Sequence, residues 1–441
     1  MTATLKTVTL GCKVNQYETE YVRQGLVSIG YRDAAQDEVA DLCVVNTCTV
    51  TGEGDAKSRQ TIRRLARKNP GTRIVVMGCY ATRAKDELAA LPNVAEVVTD
   101  KRELPDLLGR FGVVDIPDGI SSFGRRQRAY VKVQDGCLLR CSFCIIPSVR
   151  PQMYSRSAAS IRDEVARLVD HGHREIVLTG VHLGHYGVDL NSGRPKDQWW
   201  RLSRLLREIV NIPGQFRVRL SSIEATEVTR ELIEVIGEFP DRICPHLHIC
   251  LQSGSDKVLR RMRRRWGAKR FVDRCRLVQR ELDQPAVTTD IMVGFPGETE
   301  DEFADTLRVA EEVGFSKIHA FPFSPRKGTP AAEMSEQIHG DIKSDRMNRL
   351  RELESQLRER YFRCLIGRRL EVLAEAPVES NESHNPNATF LEGTTCRYTP
   401  SRFQAELHDC GRLLPVIARE YQEGRLLCDS LPTSSQQPAS A

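Results

Sequence analysis

No run of about 18 consecutive apolar residues occurs anywhere in the chain, which excludes a membrane-spanning helix of ordinary length. The N-terminus, MTATLKTVTLGC, lacks a basic segment followed by an apolar one. No secretory signal is read there, and the cytoplasm is the expected compartment. Net charge is only +5, so bulk charge alone points to no partner. No internal repeat is present, which sets aside solenoid and propeller arrays. What the chain does have is length and cysteine. Its 441 residues suffice for about two or three domains with full cores. Fourteen cysteines in a cytosolic chain argue for metal chemistry rather than a disulfide framework.

Three of these thiols lie close together in VQDGCLLRCSFCIIP: Cys137, Cys141 and Cys144. The C-x3-C-x2-C spacing lets them reach one small inorganic centre. A four-iron cluster normally takes four cysteines, so three leave one iron uncovered. In catalytic zinc sites, such an open metal position is where a substrate binds. A zinc knuckle would need a fourth ligand, and no His or Cys follows nearby. The motif follows a strand expected at Tyr130–Gln134.

Periodicity organises the rest. Short apolar runs at Lys6–Leu10, Asp41–Asn46, Arg73–Met77 and Val94–Val98 alternate with amphipathic segments such as Glu18–Ile29 and Lys57–Lys68. That alternation predicts a doubly wound parallel sheet, whose ligands bind beyond the carboxyl ends of its strands. After a polar linker at Pro117–Arg128, six strand candidates alternate with helices: Tyr130–Gln134, Glu175–Gly180, Phe216–Ser221, Leu247–Gln252, Val287–Gly294 and Lys317–Phe321. Six βα units imply a partial barrel with its site at the C-terminal strand ends. Thr299 and Glu302 read as a capping box opening the last helix. Lys343–Leu365 reads as one amphipathic connecting helix, striped by Leu350, Leu353, Leu357 and Tyr361. Residues 368–430 read as all-β, with strands at Leu370–Glu375, Thr394–Tyr398, Arg402–Leu407 and Leu413–Ala418. The small polar tail Pro432–Ala441 reads as disordered. The fold class is therefore α/β, with a doubly wound sheet, a partial βα barrel and a small C-terminal β-barrel.

A second set of thiols is spread far apart in sequence. Cys12 (TLGCKVNQYE), Cys48 (VVNTCTVT) and Cys79 (VVMGCYAT) each end a predicted parallel strand. Strand ends of one parallel sheet lie side by side, so the fold would bring the three together at its ligand-binding edge. A second cluster is the natural occupant. Cys43 lies inside a strand and reads as a packing residue.

The two triads, in this order, resemble those of the radical S-adenosylmethionine (SAM) methylthiotransferases. So does the wording TLGCKVNQYE, VNTCTVT, EIVLTGVHLGHYG, RLSSIEATEV, HLHICLQSGSDKVLRRM and TTDIMVGFPGETEDEF, which is similar to the subgroup acting on threonylcarbamoyladenosine in tRNA. The resemblance implies a methylthiotransferase N-terminal domain over 1–116 carrying an auxiliary cluster. It further implies a radical SAM domain over 123–342, a connecting helix over 343–367, a barrel of the TRAM type over 368–430 and a tail over 431–441. Cys250 departs from the family, which usually has proline there; it reads as a packing residue.

What the resemblance implies for chemistry is specific. Cys137, Cys141 and Cys144 would hold the SAM-binding 4Fe–4S cluster, whose reduction cleaves SAM to a 5′-deoxyadenosyl radical that abstracts hydrogen from carbon 2 of the target adenine. Cys12, Cys48 and Cys79 would hold a second 4Fe–4S cluster that carries the transferred sulfur, and a second SAM would methylate it. Candidate SAM contacts are Gly180, Ser222, Glu224, Gln252, Ser253 and Arg264, at the strand ends of the barrel. His182 and His185 share that rim, where loop histidines are more often structural or exposed. The implied partners are tRNA at its anticodon loop, an electron donor such as flavodoxin or ferredoxin, and a sulfur source.

Basic clusters fit an RNA partner. Residues 256–280 hold eleven Lys/Arg against Asp256 and Asp273. Arg125, Arg126, Arg128, Lys132 and Arg140 surround the first motif, and Arg59, Arg63, Arg64 and Arg67 follow Cys48. Residues 368–430 fit less well, with seven arginines, no lysine and ten acids; recognition of shape or bracing of the other domains suits that balance better. Other readings stay open on the residues alone: a methylthiotransferase for a ribosomal-protein aspartate, a non-catalytic zinc-bearing RNA-binding module, or SAM cleavage without sulfur insertion.

Overall fold

Short runs of Val, Ile and Leu build the first sheet of the computed structural model, which describes residues 2–124, 126–378 and 389–432. Arg125 and residues 433–441 of the expected tail lie outside the described residues. Strands β1 (Thr4–Thr9), β2 (Arg32–Asp33), β3 (Leu42–Thr47), β4 (Arg73–Gly78) and β5 (Val94–Val97) form one parallel sheet in the order β2-β1-β3-β4-β5. The central strand LCVVNT is buried on both faces, as a strand sandwiched by helices must be. Val44 and Val75 pack one way against Val22 and Leu26, while Val45 and Val76 pack the other way against Ile62 and Leu65. Cys43 is fully buried in that second layer, a packing residue as expected. The first helix runs Lys13–Ser28, starting a full turn before the expected Glu18, with Cys12 directly preceding it. Its first turn carries buried polar side chains, which hid it from apolar periodicity.

All six strands expected after the linker are present: β6 (Arg128–Asp135), β8 (Glu175–Gly180), β9 (Arg217–Leu220), β11 (His246–Ile249), β12 (Ala286–Val293) and β13 (Lys317–Pro322). Two short strands join them, β7 (Tyr154–Ser155) and β10 (Ser222–Ile223). They pair as β7-β6-β8-β9 and β10-β11-β12-β13. The chain bends at Ser221 so that β9 pairs with β8 while β10 pairs with β11, and a parallel bridge from Val218 to Ile243 ties the two halves. This is the open, partial barrel that the alternation predicts. Thr299 and Glu302 make both bonds of the capping box that opens the helix Glu300–Val313.

The C-terminal unit is a closed barrel of β14 (Arg369–Pro377), β15 (Phe390–Thr395), β16 (Pro400–Gln404), β17 (Leu413–Gln422) and β18 (Arg425–Ser430), in the order β14-β15-β16-β18-β17. The expected strand Thr394–Tyr398 is instead the end of β15 plus a turn, in which Tyr398 takes φ +60°. β18 went unread, because RLLCDS does not alternate apolar and polar residues. The barrel plugs the N-terminal strand ends of the large one. Arg217 donates to the Glu371 and Thr394 carbonyls, Arg219 donates to the Thr395 and Cys396 carbonyls, and Tyr398 stacks on His246 with ring centres 4.7 Å apart. Glu175, buried between Arg217 and Arg219, neutralises them. The connecting helix runs Gly340–Arg363, with Leu350 and Leu357 buried and Leu353 packed against the same core, as the stripe predicts. No helix among the described residues is long and apolar enough to cross a membrane.

Candidate active site

The first cysteine motif leaves β6 through Gly136. That glycine is required: its φ is +77°, and an added Cβ would lie 1.8 Å from the Gln152 carbonyl oxygen. The loop then brings Cys137, Cys141 and Cys144 onto one cavity of about 170 Å³, shared with His182, Ser222, Glu224, Cys250, Gln252 and Arg264. Burial pushes the Cys144 thiol up to about 12 and raises Cys141, with Arg264 acting against the latter. Partly buried thiols that converge on one cavity suit a metal centre, which would draw them into the thiolate form that ligates iron.

The expected SAM contacts divide. Ser222, Glu224, Gln252 and Arg264 line the cavity. Arg264 donates to Glu224 and lies 3.5 Å from Cys141 Sγ, while Trp266 Nε1 donates to the same Glu224 carboxylate at 3.2 Å. Gln252 takes φ +68°, and its side-chain oxygen is buried without a hydrogen-bond partner. A buried acceptor left unpaired at a cavity wall fits a ligand that donates to it. Gly180 and Ser253 do not line the cavity. Gly180 backs onto Gln134, where a Cβ would sit 3.1 Å from that residue's carbonyl oxygen. Ser253 is fully buried, its hydroxyl 3.2 Å from Thr306 Oγ1. Gly180 ends its strand, and the Ser253 hydroxyl also accepts from the Ser255 backbone N–H.

Two residues have more to do than the sequence suggests. Cys250 borders the cavity rather than merely filling the core. His182 is only 5% exposed, with Nδ1 3.7 Å from Cys137 Sγ and Nε2 2.8 Å from a Glu227 carboxylate oxygen. Burial acts to lower its pKa, but Cys137 and Glu227 outweigh burial and push it up to about 9. His185 stacks on His182 with ring centres 3.6 Å apart.

The second triad stands where the strand-end argument puts it. β1, β3 and β4 stop at Thr9, Thr47 and Gly78, just before Cys12, Cys48 and Cys79. Each thiol acts electrostatically on Cys48, and burial raises both Cys48 and Cys12. Gly11, at φ +113°, allows the close approach: its added Cβ would sit 3.2 Å from Cys48 Sγ. Asn15 stitches the strand ends, donating to the Leu10 and Thr47 carbonyls at 3.0 Å each. Cys79 packs against Ile145 and Val149, the segment directly after Cys144, so one short stretch separates the triads.

Beneath the second triad lies Arg150, a residue with no local sequence signal. Its Nε donates to Cys79 Sγ at 3.3 Å, and its other nitrogens reach Asn15, Glu18 and Asp135. Burial alone would raise the Glu18 carboxyl, but Arg150 and Lys132 outweigh it and hold its pKa below the ordinary value. Arg128 and Lys132, read as part of a basic surface, are instead tied inward to Glu175, Glu375, Glu18 and Asp135. Arg140, by contrast, is exposed, and so are Arg63, Arg64, Arg67, Lys257, Arg260, Arg263 and Arg265.

Residues 4–100 match the uncharacterized protein family UPF0004, and residues 131–310 match the radical SAM superfamily. The threonylcarbamoyladenosine tRNA methylthiotransferase of Bacillus subtilis is 39% identical, covering 96% of each chain. Its namesake in Thermotoga maritima is 39% identical over 84% of this chain and 86% of its own. The tRNA-2-methylthio-N(6)-dimethylallyladenosine synthase of Corynebacterium diphtheriae is 36% identical over 83% and 75%. A radical SAM methyltransferase from Kitasatospora setae, solved with cobalamin and a 4Fe–4S cluster, shares the fold at TM-score 0.53 and 15% identity, over 75% of this chain and 77% of that one. Identity at this level across nearly the whole of both sequences, on a fold that carries both cysteine triads, makes the chain an enzyme of the radical SAM methylthiotransferase family.

Proposed function

We propose that this enzyme methylthiolates carbon 2 of threonylcarbamoyladenosine beside the anticodon of tRNA, consuming two SAM molecules and a sulfur atom from an auxiliary cluster. The observation that carries the reading is the pair of triads, with Cys79 of one packed against Ile145 and Val149 just after the other. One lines a cavity with an unpaired acceptor, and the other ends a parallel sheet. Cys137, Cys141 and Cys144 would hold one 4Fe–4S cluster and Cys12, Cys48 and Cys79 the other. When bound, the clusters and SAM supply one-electron bond cleavage, a sulfur atom and a methyl group.

The protein's part is position. Gln252 would accept from a SAM hydroxyl or amine, and the planar fork of Arg264, swung from Glu224, would hold the SAM carboxylate. Arg150 would hold Cys79 in place from below. Exposed Arg63, Arg64, Arg67, Arg140, Lys257 and Arg260 would track the RNA backbone. The target base must leave its stack to enter, which an anticodon loop makes easy because its bases are already largely unpaired. The acidic C-terminal barrel, bonded into the base of the large one, supports bracing as its role. An electron donor such as flavodoxin or ferredoxin and a sulfur source would complete the cytoplasmic system.

Nucleoside mass spectrometry of tRNA from a deletion strain tests the reaction and substrate together. The 2-methylthio derivative of threonylcarbamoyladenosine should disappear and its unthiolated precursor accumulate; an unchanged level overturns the proposal. Anaerobic metal analysis separates it from a zinc module, since two four-iron clusters require about eight irons per chain and no zinc.

A further inference from the structure

Next to the first triad's cavity, the inner faces of β11, β12 and β13 carry a polar group that neither the core nor the SAM contacts use. His248 Nδ1 lies 3.0 Å from Thr288 Oγ1, and its Nε2 lies 3.3 Å from Asp290 Oδ2. The His319 ring stands beside it, ring centres 5.7 Å apart, and is exposed. Cys250 links this group to the cavity: its thiol borders the cavity and lies 4.0 Å from Asp290. The group is therefore continuous with the space in which the reaction is placed.

Lys13 faces it from the other unit. It follows Cys12 directly and opens the helix Lys13–Ser28. Its charge is felt at Asp290 and His319, so the ammonium lies within electrostatic reach of this wall without touching it. It is half-buried, and among the described residues no carboxylate comes within ion-pair distance of it. A partly desolvated cation with no carboxylate in ion-pair contact, next to a member of the second triad, favours an anion. His248, Cys250 and Asp290 offer donor atoms within 4.8 Å of one another, a spacing a metal ion would accept. The Lys13 ammonium beside them opposes a cation.

We propose that this wall receives the N6 substituent of the target adenosine, and that Lys13, with His319 beside it, selects a substituent bearing a carboxylate. The inference rests on the function proposed above. A threonylcarbamoyl group carries a carboxylate and a hydroxyl, whereas a dimethylallyl group carries neither. Lys13 would pair with the carboxylate, and Asp290, oriented by His248, would accept from the hydroxyl. An apolar substituent would leave the Lys13 ammonium desolvated with no partner in contact, which is how polar sites reject analogues that lack the matching group.

The test uses the reconstituted full-length enzyme and three anticodon stem-loop RNAs, identical except that the target adenosine is unmodified, threonylcarbamoylated or dimethylallylated. Fluorescence anisotropy gives their affinities. The wild type should bind the threonylcarbamoyl RNA about tenfold or more tighter than the unmodified one, as expected of a charge-assisted contact. Lys13→Gln should lose most of that preference while binding unmodified RNA as the wild type does. His319→Ala, at an exposed position that risks no core packing, should reduce the preference in the same direction. A fourth RNA bearing the methyl ester of the threonyl carboxylate removes the charge from the ligand instead, and should bind the wild type no better than unmodified RNA. Retention of the full preference by Lys13→Gln, or by the ester, overturns the proposal; if Lys13→Gln does not fold, the ester and His319→Ala decide. A wild type that binds dimethylallyl RNA best, or shows no preference, overturns the substrate reading itself, whatever the variants do.

Discussion

Arg150 Nε donates to Cys79 Sγ at 3.3 Å, so a residue from the segment after the first triad supports a member of the second. The same guanidinium, 5% exposed, pairs with Glu18 at 2.8 Å and with Asp135 at 2.7 Å. Glu18 comes from the first helix and Asp135 from the end of β6, so one side chain joins both units at the point where the triads approach.

Arg150→Met keeps the bulk of the side chain and removes its charge. It leaves Glu18 and Asp135 with Lys132 alone, and loss of one partner from a buried ion pair is worth about 3–5 kcal/mol. Urea unfolding should show a loss of that order. Iron analysis after anaerobic reconstitution should show the deficit falling on the second triad, toward about four irons per chain rather than about eight. Full iron content with unchanged stability would remove Arg150 from the proposed support.

The tie between the large barrel and the C-terminal one should depend on pH. Glu175 is fully buried; burial acts to raise its carboxyl, but Arg219, Arg217 and Arg128 outweigh it and hold its pKa well below the ordinary 4.5. A carboxyl depressed in the folded state contributes its stability above the unfolded pKa and loses it as pH falls toward the folded one. Near neutral pH, Glu175→Gln should therefore destabilise the protein by about 3–5 kcal/mol, by leaving buried Arg219 uncompensated and Arg217 with Glu371 alone. The gap between variant and wild type should hold from neutrality down to about pH 5 and narrow below about pH 4. Denaturant midpoints measured across that range check both the size and the sign.

Strand alternation made the architecture legible: the six longer strands of the large barrel and all four longer strands of the first sheet were expected within a few residues, whereas the two-residue β7 and β10 were not. Cys12, Cys48 and Cys79 were legible because parallel strands convert long separations into neighbouring ends. Gln252 could be named because it follows a barrel strand, and Arg264 because it lies in an M-x-R stretch that resembles the family's. Arg150 could not, because its partners Glu18 and Asp135 lie far from it in sequence and no periodicity marks a buried ion pair between units. Lys132 misled for a related reason: composition counts a lysine as surface, whereas here Glu18 and Asp135 draw it inward. β18 was lost because RLLCDS does not alternate apolar and polar residues, and the real use of Tyr398, stacked on His246, is visible only once the two barrels meet.

Replacing Cys12, Cys48 and Cys79 together by alanine separates the two chemistries. None of the three residues lines the first triad's cavity, so SAM cleavage should persist. Chromatography should still detect 5′-deoxyadenosine, while nucleoside mass spectrometry finds no methylthio product. Continued methylthiolation would favour sulfur delivery independent of these residues.

The last prediction concerns the loop that carries Cys137. Gly136 and Gly193 both have positive φ, at +77° and +75°. At Gly193 an added Cβ meets nothing within 4 Å, so Gly193→Ala should carry only backbone strain, about 1–2 kcal/mol. At Gly136 the same Cβ would lie 1.8 Å from the Gln152 carbonyl oxygen, a contact no rotamer relieves, so the backbone must move. The residue that moves with it is Cys137. Gly136→Ala should therefore lose stability beyond the Gly193→Ala control and also reduce iron binding and SAM cleavage, both of which the control leaves unchanged. Equal behaviour of the two variants in iron analysis and in 5′-deoxyadenosine formation would show that the close approach at Gly136 does not govern the position of the first triad.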